Sequence, residues 1–170
     1  MKSVPASAHL TPDGQLLATD DWEGDIKAES DVRIWNTRTA ELLRRLGAGP
    51  NNSVRISPSG KWLMACGTGP GAGLWRLPEL VRQEKFEPRG DDAWFVPGDQ
   101  LLGALNLGML DLFRLSDGSL LGSFPGDAAL AVSFSPDGNR MLFGTASRVY
   151  EWDIPGLRRE LRTLNLDWVE

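Results

Sequence analysis

The 170-residue sequence has very few of the residues on which most catalytic and metal sites depend. Cys66 is the only cysteine, which excludes an intrachain disulfide and any cluster of cysteine metal ligands. His9 is the only histidine, so acid–base catalysis near neutral pH has a single obvious candidate side chain. These shortages favour a non-catalytic protein with no cofactor and no metal, and the lone cysteine fits a reducing compartment such as the cytoplasm.

Basic residues and long apolar segments are also scarce. The chain has 18 Lys and Arg against 23 Asp and Glu, a formal net charge of −5. Binding to nucleic acid or to an anionic membrane surface usually needs a basic patch. No run approaches the roughly 18 apolar residues of a membrane span, and the first residues lack the apolar segment of a secretion signal. We therefore expect neither nucleic acid nor a membrane as a partner.

The sequence is rich in copies of one repeated unit. The first mark of the unit is a proline turn, written TPDG, SPSG, VPGD and SPDG around Pro12, Pro58, Pro97 and Pro136. The second mark is an aromatic residue that closes a later apolar run, at Trp35, Trp75, Phe113 and Trp152. These aromatic residues recur every 38 to 40 positions, so the chain contains four units.

Each unit has the pattern of a small antiparallel sheet. Apolar residues stand two and four positions before each turn proline, as Leu10 and Ala8 do in the first unit. This alternation is typical of a strand with one buried face. Two more short apolar runs follow the turn, and a fourth run closes the first three units. We predict an all-β fold of three- to four-stranded sheets, with units at about 3–49, 50–88, 89–126 and 127–156.

The four units resemble the repeats of the WD-repeat β-propellers. The match is clearest at Glu151–Asp153, where EWD follows an SPDG turn; the other units lack the Trp-Asp pair, and none has the family's Gly-His dipeptide. The resemblance covers about residues 3–156 and implies about four propeller blades, a partial or small propeller. It implies structural anchors between blades at Trp35, Trp75, Phe113, Trp152 and Asp153. It also implies a non-catalytic scaffold that binds protein partners; the alternative is an enzyme or ligand-sensing module whose site forms only in a complete ring.

How the ring closes is open at the level of sequence, because seven blades of this size need about 280 residues. The chain belongs to a longer propeller protein, or a second copy completes a ring of about eight blades, or the chain forms a small or open ring alone. Residues 154–168 resemble the exit from WD-repeat regions in bacterial multidomain proteins. Leucine spacing predicts a short helix over residues 157–170, with a fourth strand as the alternative.

An acidic stretch in the first unit holds most of the candidate interaction residues. Residues 19–31 carry six carboxylates and one lysine and lengthen the unit between its second and third strands, so we predict an exposed loop. The carboxylate order does not match a calcium-binding loop, and we assign no metal. The candidate contacts to a protein partner are Asp20, Asp21, Trp22, Glu23, Asp25 and, from the third unit, Trp94. The alternatives are a solvated acidic loop that binds no partner and a core position for Trp94.

Two other features have structural and functional interpretations. The stretch GTGPGAG at 67–73 is similar to a phosphate-binding loop, but a strand pattern follows it instead of a helix, which favours a loop between strands. His9 shares its place in the unit with Arg55, Trp94 and Ser133. We expect His9 to be structural or surface-exposed, whereas polar side chains from several units gathered around His9 and Arg55 would favour the alternative function.

Overall fold

The computed structural model describes residues 4–22, 31–47, 49, 53–67, 69–84, 86, 92–106, 108–125, 131–144 and 147–163. Within these ranges fifteen strands form four antiparallel sheets, and one helix follows the last strand. Neighbouring strands in every sheet are also neighbours along the chain. The predicted all-β architecture of three- to four-stranded sheets with a short C-terminal helix is confirmed.

The four sheets follow one another along the sequence. Sheet 1 contains β1 (Val4–Leu10), β2 (Leu16–Trp22), β3 (Val32–Asn36) and β4 (Leu42–Leu46). Sheet 2 contains β5 (Ser53–Ile56), β6 (Trp62–Cys66), β7 (Gly73–Arg76) and β8 (Val81–Arg82). Sheet 3 contains β9 (Asp92–Phe95), β10 (Leu101–Asn106), β11 (Met109–Arg114) and β12 (Leu120–Pro125). Sheet 4 contains β13 (Ala131–Phe134), β14 (Arg140–Gly144) and β15 (Val149–Asp153), and α1 (Ile154–Thr163) follows it.

The proline turns connect the first two strands of every sheet with the same geometry. In sheet 1 the Gly14 amide donates to the Thr11 carbonyl at 2.8 Å, and the equivalent bonds in the other three turns measure 2.9 to 3.2 Å. The last turn residue has a positive φ, +70° at Gly14, +74° at Gly60 and +71° at Gly138. Glycine adopts this conformation without strain, which explains the SPDG-like sequence.

Consecutive sheets pack face to face with an apolar layer between them. We call the side that a sheet turns toward the following sheet its forward face, and the opposite side its rear face. The three layers are represented by Ile34 with Trp75 between sheets 1 and 2, Met64 with Leu102 between sheets 2 and 3, and Leu110 with Phe143 between sheets 3 and 4. Ile34, Met64 and Leu102 are at most 1% exposed, and burial of such a side chain contributes about 1.5–3 kcal/mol.

The first strands of neighbouring sheets also contact each other, β1 against β5 and β5 against β9. Side chains at corresponding positions of these three strands therefore lie near one another. Across the described part of the chain, no helix is both long and apolar enough to cross a membrane.

Helix α1 begins three residues earlier than the leucine spacing predicts and replaces the alternative fourth strand of sheet 4. Asp153 precedes it, an acid that suits the N-terminal cap, and Pro155 lies in the first turn, where a missing N–H is tolerated. Ile154 and Leu157 pack against Val96 and Leu101 of sheet 3. Residues 164–170, the remainder of the predicted helix, lie outside the described ranges.

Candidate functional site

Three first strands bring polar side chains from three sheets into contact. Arg55 on β5 donates from Nη1 to His9 Nε2 on β1 at 3.2 Å, and from Nη2 to Asp92 Oδ2 on β9 at 3.1 Å. Ser53 Oγ donates to the other Asp92 carboxylate oxygen at 3.1 Å. We call His9, Arg55, Asp92 and Ser53 the inner polar chain. It is the cluster that the sequence interpretation named as favouring a ligand-binding or catalytic alternative.

The protonation state of His9 follows from its surroundings. Burial and then the Arg55 guanidinium lower the pKa of His9 below its usual 6.5, while Asp20 and Asp92 oppose this shift. A guanidinium can only donate hydrogen bonds, so this contact makes His9 Nε2 an acceptor and the imidazole neutral. Arg55 and Asp92 are 27% and 28% exposed, so solvent reaches the ion pair.

Asp20 departs from the predicted exposed acidic loop. Strand β2 continues through Trp22, and Asp20 is only 2% exposed. Its carboxylate accepts a hydrogen bond from the Ser7 amide at 2.5 Å and another from the Ser7 hydroxyl. The prediction that Asp20 is exposed was wrong. Its carboxylate can be buried because hydrogen bonds from Ser7 replace those to water. Its role in an interaction stays a prediction, with the carboxylate already bound to Ser7.

The rest of the acidic stretch is described only in part. Asp21 and Trp22 lie in β2, where their backbones pair with Pro5 and Val4. Glu23 and Asp25 lie outside the described residues, as do the side chains of Asp21 and Trp22. These four interaction assignments stay predictions.

Trp94 and the aromatic anchors lie in or beside the apolar layers. Trp94 packs with Leu110 and Phe143 between sheets 3 and 4, so its ring is partly buried. Trp75, Phe113 and Trp152 lie in the layer behind their own sheets, each beside residues of the preceding sheet. Trp35 lies on the rear face of sheet 1 and donates from Nε1 to Thr19 Oγ1 at 3.1 Å. Asp153 is exposed and forms an ion pair with Arg159 at 3.7 Å.

The glycine-rich stretch at 67–73 serves close packing between sheets. A Cβ on Gly71 would lie 2.5 Å from the Gly47 amide nitrogen, and the Gly71 amide donates to the Gly47 carbonyl at 2.8 Å. Strand β7 follows, as the sequence predicts. A helix N-terminus, which phosphate-binding loops use, does not follow this stretch.

A cleft of about 490 Å³ opens where the turns of sheets 3 and 4 meet helix α1. Arg158, Arg159 and Arg162 line it from the helix, and Asp137 lines it from the sheet 4 turn. We call this site the arginine cleft. Its walls are fixed by the Ile154 amide, which donates to the Asn139 carbonyl at 2.9 Å, and by the packing of Leu157 on sheet 3.

The charge in the arginine cleft is predominantly positive. Three arginines and one carboxylate, Asp137, line it, and a second carboxylate, Asp153, is ion-paired with Arg159 at 3.7 Å. Hydrogen bonds from the Ser135 hydroxyl and then the Asn139 amide lower the pKa of Asp137 to about 2, so it is ionised at neutral pH. The volume of the arginine cleft, about 490 Å³, falls within the usual range for ligand sites, about 300–1,000 Å³. A planar guanidinium suits carboxylate or phosphate recognition.

Sequence reasoning missed Asp92 and the arginine cleft. Asp92 stands five positions before its turn proline, as Ser7 and Ser53 do, and this polar column was a usable signal. The cleft combines a helix with two turns about 40 residues apart, and no repeat position marks it. Over the described residues, no group of three or more His, Cys, Asp or Glu side chains is arranged to hold a metal ion.

Comparison with known proteins supports the fold. No protein-family profile matches the sequence, and no curated protein matches it either. Hydrazine synthase from Kuenenia stuttgartiensis superposes with a TM-score of 0.70 at 15% identity, over 89% of this chain and 46% of that one. The β-propeller domain of Myceliophteria thermophila Cps50 (Swd1) gives 0.68 at 18% identity, over 92% and 55% respectively.

These two likenesses are too distant in sequence to show more than architecture. The four sheets have a β-propeller-type fold, and the chain spans about half the length of the solved structures it matches. The resemblance to the WD-repeat family in particular stays a prediction.

Proposed function

We propose that this chain is a non-catalytic scaffold that binds an acidic segment of a protein partner in the arginine cleft. The observation that carries the proposal is the convergence of Arg158, Arg159 and Arg162 on a cleft of about 490 Å³. The cleft is built on a helix that is packed against sheet 3, so the arginines project from a rigid support. An extended peptide with Glu or Asp side chains matches both the charge and the bidentate geometry of guanidinium groups.

The composition of the inner polar chain supports a scaffold over an enzyme. Arg55 donates to His9, to Asp92 and to the Val54 carbonyl, so its donors already serve the protein. A nucleophile would need a serine, threonine or cysteine within hydrogen-bond reach of a base. Ser53 does donate to the Asp92 carboxylate, but that carboxylate is ion-paired with Arg55, and Cys66 is buried in the layer between sheets 2 and 3.

Peptide binding followed by fluorescence anisotropy tests the proposal. A labelled peptide of ten glutamates should bind, and a neutral glycine–serine peptide of equal length should not. Arg162→Gln should weaken binding roughly threefold to tenfold, because a charge-assisted contact contributes about 1.5–3 kcal/mol when buried and less at an exposed site. Arg38→Gln, an equally drastic loss of charge in the exposed turn after β3, is the matched control. Equal loss with both variants, or equal binding of both peptides, would refute the site.

A second candidate function has one specific observation in its favour. The inner polar chain joins side chains of three sheets and is partly exposed, as expected of a site in a ligand-sensing module. Because His9 is the only histidine, its ring gives one unambiguous NMR signal. Succinate is a suitable dicarboxylate probe for Arg55. A shift of the His9 signal that saturates with succinate and disappears in Arg55→Lys would favour sensing, and an unchanged signal would count against it.

A further inference from the structure

The rear face of sheet 1 has the composition of a buried face although no described sheet covers it. Register places Leu10, Leu17 and Trp35 side by side on this face, with Ala8 one pair further along. Leu10 is 56% exposed, Ala8 is exposed, and Leu17 and Trp35 are half-buried. A sheet face that is exposed to solvent usually carries polar residues at such positions.

The same positions in the next sheet provide an internal control. Ala8, Leu17 and Trp35 correspond to Val54, Leu63 and Trp75, which are 0%, 0% and 7% exposed because sheet 1 covers them. In sheet 3 the residues that correspond to Ala8 and Leu17 are Ala93 and Leu102, both 0% exposed against sheet 2. The open rear face therefore continues the pattern of an established sheet-to-sheet interface, and its natural cover is the forward face of another such sheet.

The forward face of sheet 4 is the complementary open surface. Val149 is 75% exposed and Leu142 is 44% exposed, whereas the forward residues that correspond to them in sheet 1, Val32 and Ala18, are fully buried. Charges differ between the two open faces as well. The rear face of sheet 1 carries Arg33 where sheet 2 has Gly73. The forward face of sheet 4 carries Glu151, ion-paired with Arg140 at 2.9 Å, where sheet 2 has Leu74.

We propose that a second copy of this chain covers both open faces. The forward face of sheet 4 in each copy packs on the rear face of sheet 1 in the other, so two equal joints close a ring of eight sheets. Each copy supplies both sides of such a joint, because its sheet 1 has the kind of rear face that sheet 2 packs against sheet 1 and its sheet 4 has an open forward face. Leu142 and Val149 then meet Leu10, Leu17 and Trp35, and Glu151 lies on the surface opposite Arg33. The proposal does not depend on the scaffold function, since it concerns only how the ring is closed.

Analytical ultracentrifugation of the full chain and three variants tests the joint. The wild type should sediment at twice the 18.6 kDa chain mass. Leu10→Arg and Val149→Arg each place a charge in both joints and should sediment as monomers with the wild-type circular dichroism spectrum, because both residues are exposed in one copy. Val81→Arg is the matched control, since Val81 is 54% exposed but lies on the outer strand β8; it should remain a dimer.

A mixing experiment establishes the head-to-tail direction. An equimolar mixture of Leu10→Arg and Val149→Arg chains contains one undamaged sheet 4 face and one undamaged sheet 1 face. One joint can therefore form, and part of the dimer mass should return. A wild type that is monomeric at every concentration overturns the proposal and leaves the rear face to a sheet of another polypeptide. A dimer that survives Val149→Arg also overturns it, because pairing of two rear faces would not involve sheet 4.

Discussion

The contact between neighbouring proline turns gives the sharpest test of how the sheets are held together. Gly14 and Gly60 occupy the same turn position with φ of +70° and +74°. A Cβ added at Gly14 meets nothing within 4 Å, whereas a Cβ at Gly60 would lie 2.8 Å from Cδ of Pro12 in the turn of sheet 1. The two glycines thus share one backbone conformation and differ only in whether the adjacent sheet touches them.

The substitutions Gly14→Ala and Gly60→Ala separate the two requirements. A left-handed alanine costs about 1–2 kcal/mol at either site, and the smaller entropy of the unfolded chain offsets about 0.4–1 kcal/mol at both. Only Gly60→Ala adds a clash with a rigid proline ring, for which about 1–3 kcal/mol is typical. We expect Gly60→Ala to lower the free energy of unfolding by about 1–3 kcal/mol more than Gly14→Ala does.

Urea denaturation followed by tryptophan fluorescence measures this difference. The denaturant dependence of the free energy should be the same in both variants, so that the midpoints report stability alone. Because the clash is with the Pro12 ring, Pro12→Ala should reduce the penalty of Gly60→Ala in a double-mutant cycle. Equal losses at Gly14 and Gly60 would mean that the turns of sheets 1 and 2 do not touch, and the stacking of the sheets would then be wrong.

Two further predictions concern the apolar layer and the inner polar chain. Leu63→Ala, at a fully buried site between sheets 1 and 2, should lower the free energy of unfolding by about 3 kcal/mol. Leu120→Ala, at a residue that is 54% exposed, should change the free energy of unfolding by less than about 0.5 kcal/mol. Calorimetry that finds similar losses for the two variants would contradict the position of Leu63 in the apolar layer. Because the folded pKa of His9 lies below 6.5, the unfolded chain binds more protons between these two values, and stability should fall as the pH drops below 6.5. Urea midpoints at several pH values should show that His9→Gln removes this slope, and an unchanged slope would assign it to other groups.

The sequence predicted the repeated parts of the fold because they depend on local chemistry. The turn prolines and the glycines after them set the hairpins, and alternation such as Ala8 and Leu10 identifies which residues share a face. The spacing of Trp35 and Trp75 predicted sheets of equal size. Each of these signals acts over a few residues, so a single unit contains enough information to specify its own sheet.

Contacts between sheets were much harder to predict. The acidic run indicated a loop, but Asp20 is buried because Ser7, thirteen positions earlier, supplies two hydrogen bonds across β1 and β2. His9 and Arg55 were recognised as equivalent positions, yet equivalence does not reveal that one donates to the other. Helix α1 starts at Ile154 because Asp153 and Pro155 suit a helix start and Ile154 packs on sheet 3, which a leucine count alone misses.

Departures from the repeat are what make each joint between sheets different from the others. One column of positions holds His9, Arg55 and Trp94: the first two meet in a hydrogen bond between sheets 1 and 2, and Trp94 packs with apolar residues between sheets 3 and 4. The joint between sheets 2 and 3 instead uses Arg55 with Asp92, and the Ser57 hydroxyl, which donates to Asp99 at 2.7 Å. If the sheets paired in another order, the Ser57 hydroxyl, in a residue only 1% exposed, would lose Asp99 as its acceptor, and an unpaired buried polar group costs about 1–3 kcal/mol. Four sheets with nearly the same local pattern are therefore kept in one order by the residues in which they differ.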